Sequence, residues 1–160
     1  MEALAASAIA VLGTLLGATV NHLFQWRNTE RAQLLARQER LRAERLDALA
    51  GYASSLTDYR RALIHRWCCL HDERPPGDPT EARMASYERL NEARHALFRC
   101  QLLFHDCPKL IARAQEVMAR VAEIHDAGDD PERLDELRHS TRELIDGLVG
   151  HAARELTEAS

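Results

Sequence analysis

The side chains of this chain best suited to chemistry are its four cysteines and eight histidines, and most of them gather in two places. His65, Cys68, Cys69 and His71 crowd one stretch; Cys100, His105 and Cys107 share another. Thiolate and imidazole are ligands that zinc favours, yet a structural site needs about four of them converging within a little over 2 Å of one point. If Pro75-Pro76-Gly77 reverses the chain, Cys68 lies opposite Met84, and Cys100 lies roughly 24 Å further along at helical rise. The two groups then cannot share a metal. A local site would need His65 with Cys68 or Cys69 on one helical turn, and His71 as a third ligand. Core thiols and surface imidazoles explain the same residues more simply, so no metal and no cofactor is expected. Adjacent Cys68 and Cys69 cannot readily bridge within a helix, and thiols in a cytoplasmic domain stay reduced.

Other chemistry is harder still to find. There is no Gly-rich phosphate loop, nucleophile elbow, His-Glu-x-x-His run or paired CxxC. Acids fall three or four residues from arginines, as in Arg40 with Glu44 and Arg89 with Glu92, the spacing of a solvated helix surface. No catalytic residue and no enzyme activity is expected. One polar cluster stands out, Tyr59, Arg60 and Arg61 with Trp67 nearby, because Tyr, Trp and Arg anchor interfaces. It reads either as a core edge with snorkelling arginines or as a partner-binding edge.

These residues depend on elements that the composition makes helical. The chain has 160 residues, 46% hydrophobic and 29% charged, with aromatics at only 5%, and Ala, Leu, Arg and Glu dominate its middle. The net charge of -4 conceals an asymmetry: six Arg face four acids from Arg27 to Asp47, whereas the remainder is acidic. Nucleic-acid binding needs clustered cations over phosphates, so an acidic body argues against a nucleic-acid partner.

The basic stretch follows an uncharged run. Between Ala3 and Trp26 there is no Asp, Glu, Lys or Arg. Residues 3 to 24 reach about 33 Å as a helix, enough for a hydrocarbon core of about 30 Å. A membrane anchor is therefore expected. Arg27, Arg31 and the arginines beyond them place the following part in the cytoplasm and the N-terminus outside, with Trp26 at the inner interface. Ala6, Ala10, Gly13 and Gly17 form a small-residue stripe on which two such helices can pack.

Past the anchor, one helix can run to about residue 72. Leu49, Tyr52, Leu56, Tyr59, Leu63, Trp67 and Leu70 recur at gaps of three and four and mark a buried face. Leu34, Leu35, Leu41 and Leu46 stand among charged residues and read as an exposed stalk or a partner-dependent coiled coil. Asp78-Pro79 starts a second helix, with Met84, Tyr87, Leu90, Leu97 and Phe104 on its apolar face. Asp106, before Pro108, is expected to cap a third, bearing Leu110, Ala114, Val117, Val121 and Ile124. Gly128 to Pro131 restarts the chain into a last helix with Leu134, Leu137, Leu144, Leu148 and Leu156. The expected fold is all-α: an N-terminal transmembrane helix continuing into a long helix and an antiparallel helical bundle. Its parts are an anchor over 1–26, a juxtamembrane stalk over 27–48 and a cytoplasmic four-helix bundle over 49–160.

Four segments carry a family resemblance. They are Ala8-Ile9-Ala10-Val11-Leu12-Gly13-Thr14-Leu15-Leu16-Gly17, Phe24-Gln25, Glu39-Arg40-Leu41-Arg42-Ala43-Glu44-Arg45-Leu46 and Asp58-Tyr59-Arg60-Arg61-Ala62. Together they resemble small actinobacterial single-pass membrane proteins called KilB-like. The resemblance implies an association with plasmid transfer and carries no catalytic residue. The expected function is a non-enzymatic, membrane-tethered adaptor or scaffold that meets membrane lipid and a protein partner or a second copy of itself. A thiol- or metal-responsive membrane sensor and a growth-inhibiting membrane protein are the alternatives.

Overall fold

The computed structural model describes the backbone of residues 2–158 and the side chains of residues 32–154. Four α-helices follow one another: α1 (Glu2–His71), α2 (Pro79–Leu103), α3 (Pro108–Ala122) and α4 (Pro131–Glu158), with a 3-10 turn at Glu123–Asp126 between the last two. No strand occurs among the described residues. The chain divides into two compact units, Met1–Leu41 and Arg42–Ser160.

Local chemistry explains where the helices begin. Asp78 Oδ1 accepts from the backbone N–H of Thr80 at 2.8 Å and of Glu81 at 2.9 Å, and Pro79, with no N–H to lose, takes the first helical position. Asp130 does the same for α4, accepting from Glu132 and Arg133 at 3.0 and 3.3 Å ahead of Pro131. Between the 3-10 turn and α4 the chain passes through Gly128 at φ +64, a left-handed conformation in which a Cβ is strained. The cap expected of Asp106 is absent. Cys107 holds the N-cap position of α3 and makes no side-chain capping bond, while the Asp106 carboxylate is taken up by Arg45, whose Nη2 donates to both its oxygens at 2.7 Å.

Within the second unit, long-range bonds fix helix directions. Asp47 and Ala48 of α1 meet Arg99 and Cys100 near the end of α2, so the two helices are antiparallel. Tyr52 reaches Ala114 of α3, and Trp67 reaches Gly128 just beyond it, so α3 runs with α1. Arg60 bonds Thr141, and His71 bonds Asp129, so α4 returns against α1. The result is an up-down-up-down bundle, as the short connections demand.

The core lies where the α1 stripe places it. Tyr52, Leu56, Tyr59 and Leu63 are buried against Leu97, Cys100, Phe104, Leu110, Val117, Val121, Leu137 and Leu148, each fully buried aliphatic side chain contributing about 1.5–3 kcal/mol. Leu70 is exposed and Cys69 takes the inner position. Leu34, Leu35, Leu41 and Leu46 are exposed. On α4 the buried set is Leu134, Leu137, Thr141, Ile145, Leu148 and Ala152, with Leu144 at its margin.

The largest correction concerns α2. Met84 and Tyr87, expected inside, are outside; the inner face carries Ala82, Ser86, Ala93, Leu97 and Cys100. Three small side chains, one thiol and Leu97 form that face, and Cys100 Sγ lies 3.4 Å from the Ala48 carbonyl. The small side chains of Ala82, Ser86 and Ala93 allow close approach there, and Met84 and Tyr87 are left to solvent.

Among the described residues no helix is long and apolar enough to cross a membrane. The span expected over residues 3 to 24, with Ala6, Ala10, Gly13 and Gly17, lies outside the described side chains, as do Trp26, Arg27 and Arg31.

Candidate functional site: an exposed helix face and its neighbours

The four residues read as a partner edge do not share one exposed edge. Tyr59 is inside the core, and burial pushes its hydroxyl above the usual range. Arg61 points to solvent beside Asp58. Arg60 lies half-buried between α1 and α4, its Nε donating to Thr141 Oγ1 at 3.0 Å and its Nη2 to the Arg138 carbonyl at 2.5 Å. Thr141 is wholly buried and donates in turn to the Leu137 carbonyl.

Trp67 serves the end of the bundle. Its indole N–H donates to the Gly128 carbonyl at 2.8 Å, and its ring stacks on His71 at 4.5 Å. His71 Nδ1 faces the Trp67 carbonyl at 2.8 Å and Nε2 faces Asp129 at 2.9 Å. A cavity of about 180 Å³ opens here between α1 and the 3-10 turn, lined by Leu63, Arg66, Trp67, Leu70, Ile124 and His125 among others. A second hollow of about 130 Å³ lies near the start of the bundle, walled by Leu46, Leu49, Ala50 and Ala53 of α1 and by Leu148, Val149, Ala152 and Ala153 of α4.

The cysteines and histidines that invited a metal reading are spread out. Cys69 Sγ lies 3.6 Å from His65 Nε2, but His71 is turned to Trp67 and Asp129. Cys100 packs at Ala48, twenty residues back along α1 from Cys68, or about 30 Å at helical rise. No group of three potential metal ligands occurs among the described residues. All four cysteines are outside disulfides. Burial raises the Cys100 thiol to about 11, and burial with the neighbouring Asp72 carboxylate raises that of Cys68. Raised thiol pKa values mean protonated, weakly nucleophilic sulfur.

The surface that the sequence reading missed is the outer side of α2. Met84, Tyr87, Phe98 and Leu102 are 53%, 49%, 56% and 79% exposed. At 100° per residue they fall within one narrow stripe directly opposite Ala82, Ala93 and Cys100. Glu88 and Glu92 border the stripe on one side and Arg83 and Arg94 on the other. Four large apolar side chains on one helix face, rimmed by both signs of charge, are what an interface presents before it is covered. The sequence offers apolar residues on both faces of α2, and which face turns inward is decided by what packs against it.

The described residues thus form an all-α antiparallel bundle with an apolar stripe on the outer face of α2. The chain belongs to the KilB plasmid transfer protein family, whose model matches residues 46–156. The match covers the bundle from the first buried residues of α1 to near the end of α4. No curated protein and no solved structure matches the chain.

Proposed function

We propose that the chain is a non-enzymatic, membrane-tethered helical adaptor in plasmid transfer. In this reading the uncharged run of residues 3 to 24 is a single-pass anchor, with the N-terminus outside and the bundle in the cytoplasm. The arginines from Arg27 onward hold the inner face by pairing with anionic lipid at about 1 kcal/mol each. The exposed part of α1 sets distance, and the bundle presents α2 to a protein partner. Membership of a plasmid-transfer family supports the process. The observation that carries the adaptor reading is the outer stripe of α2, Met84, Tyr87, Phe98 and Leu102, which the fold leaves uncovered.

The test is photocrosslinking from a reactive amino acid placed at Phe98 or Leu102 in cells that carry the plasmid. One defined protein should be captured from the membrane fraction. With the reactive residue at Met84 instead, Phe98→Glu with Leu102→Glu should abolish capture and plasmid spread while the helical circular dichroism is kept. Capture of the chain's own copies alone would replace the adaptor by a self-assembling scaffold. Release of the chain from membranes by alkaline carbonate would remove the anchor.

A further inference from the structure

Between α1 and α4 lies an open groove of about 340 Å³, lined by Arg60, Asp135, Arg138, His139 and Arg142. Three guanidiniums in one groove repel one another, and a fold gathers like charges at a cost unless something compensates them. Local acids compensate only part. Asp135 pairs with Arg138 at 3.2 Å, and Glu143 faces His139 at 3.3 Å. Asp146 acts on Arg60 from a distance, and Arg142 has no carboxylate within 4.0 Å among the described residues.

Arg60 is the fixed point of the groove. Its bonds to Thr141 and to the Arg138 carbonyl immobilise the guanidinium, so that binding to its remaining N–H groups costs little further ordering. Burial of that cation lowers its pKa, and Arg138, Arg142 and Arg61 beside it act in the same direction.

We infer that this groove binds a phosphoryl oxyanion, either free phosphate or the phosphomonoester of a small metabolite. The lining alone, three arginines less Asp135, carries two positive charges before Glu143 and Asp146 at its margin are counted, and a phosphate near neutral pH carries roughly −1.5 to −2. Guanidinium forks match tetrahedral oxyanions with paired N–H donors. The lining holds no Phe, Tyr or Trp on which a base could stack, and its one ring, the His139 imidazole, faces Glu143, so the phosphoryl group itself is what the groove recognises.

The experiment is calorimetric titration of the full-length chain with inorganic phosphate and, separately, with glycerol 3-phosphate, against sodium chloride at matched ionic strength. Saturable binding of phosphate alone identifies the free ion; equal or tighter binding of the ester identifies a metabolite. Arg142→Gln, at an exposed position, should weaken binding about tenfold, as loss of one charge-assisted bond predicts. Asp135→Asn should change it in the opposite direction by removing the competing carboxylate. Heat indistinguishable from that of chloride, or affinities unmoved by both substitutions while the helical spectrum is retained, overturns the assignment.

Discussion

Cys100 shows how much a single residue's surroundings decide. It is fully buried, its Sγ lies 3.4 Å from the Ala48 carbonyl, and burial raises its thiol from 9.0 to about 11. In the unfolded chain it ionises at the ordinary value, so the folded state holds the proton more tightly. The associated stability is complete below pH 9.0 and is lost as pH climbs through about 11. The full effect is on the order of 2–3 kcal/mol. Urea titrations across that window should show the midpoint falling with pH, and Cys100→Ala should flatten the fall. Identical slopes in the two proteins would mean that the thiol is not sealed as described. Tyr52 beside it contributes in the same direction, because burial lifts its phenol too. A sequence shows that Cys100 is a thiol; only the packing of α2 on α1 shows which pKa that thiol has.

At the scale of elements, helices whose apolar side is large and continuous were legible. Tyr52, Leu56, Tyr59 and Leu63 recur at helical spacing and are buried as that spacing requires. Asp78 and Asp130 cap as Asp before Pro should, because each cap is settled within four residues of chain. Asp106 was not legible, since its partner Arg45 is distant in sequence and reaches it only after folding. The site on α2 was hidden for a related reason: size and burial part company there, and a pattern read from large side chains weighs Met84 and Tyr87 above Ala82 and Ala93. The two faces can be distinguished directly. Ala93→Leu forces extra volume into a closed contact and should cost about 1–3 kcal/mol in urea denaturation. Leu102→Ser on the outer face should stay within about 0.5 kcal/mol. If the serine variant proved the more damaging, α2 would have been oriented the wrong way round.

For the whole molecule, the consequential boundary is the one between its two units at Leu41 and Arg42. From residue 32 to 44 every side chain is exposed, and the first buried side chain of α1 among the described residues is Ala48. A helix segment whose side chains are exposed gains little from packing, and helical turns held mainly by their own hydrogen bonds open readily in water. Past this stretch, Arg45 is tied to Asp106 and to the Leu103 carbonyl at 2.9 Å, with its guanidinium 5.2 Å from the Phe104 ring centre. Arg37, Arg40 and Arg42 are therefore accessible to trypsin, whereas Arg45 is held. Brief digestion of the chain in detergent should yield a resistant fragment beginning at Gln38, Leu41 or Ala43 and retaining the bundle's helical spectrum. Repeating the digestion in native membranes adds a second reading. If the exposed leucines Leu34, Leu35 and Leu41 pair with a second copy there, cleavage at Arg37 and Arg40 should slow by at least the fraction paired, and dilution of the protein into excess lipid should restore it. Equal rates in both settings would show that this part of α1 works as a lone strut, and would leave α2 as the surface through which the protein meets others.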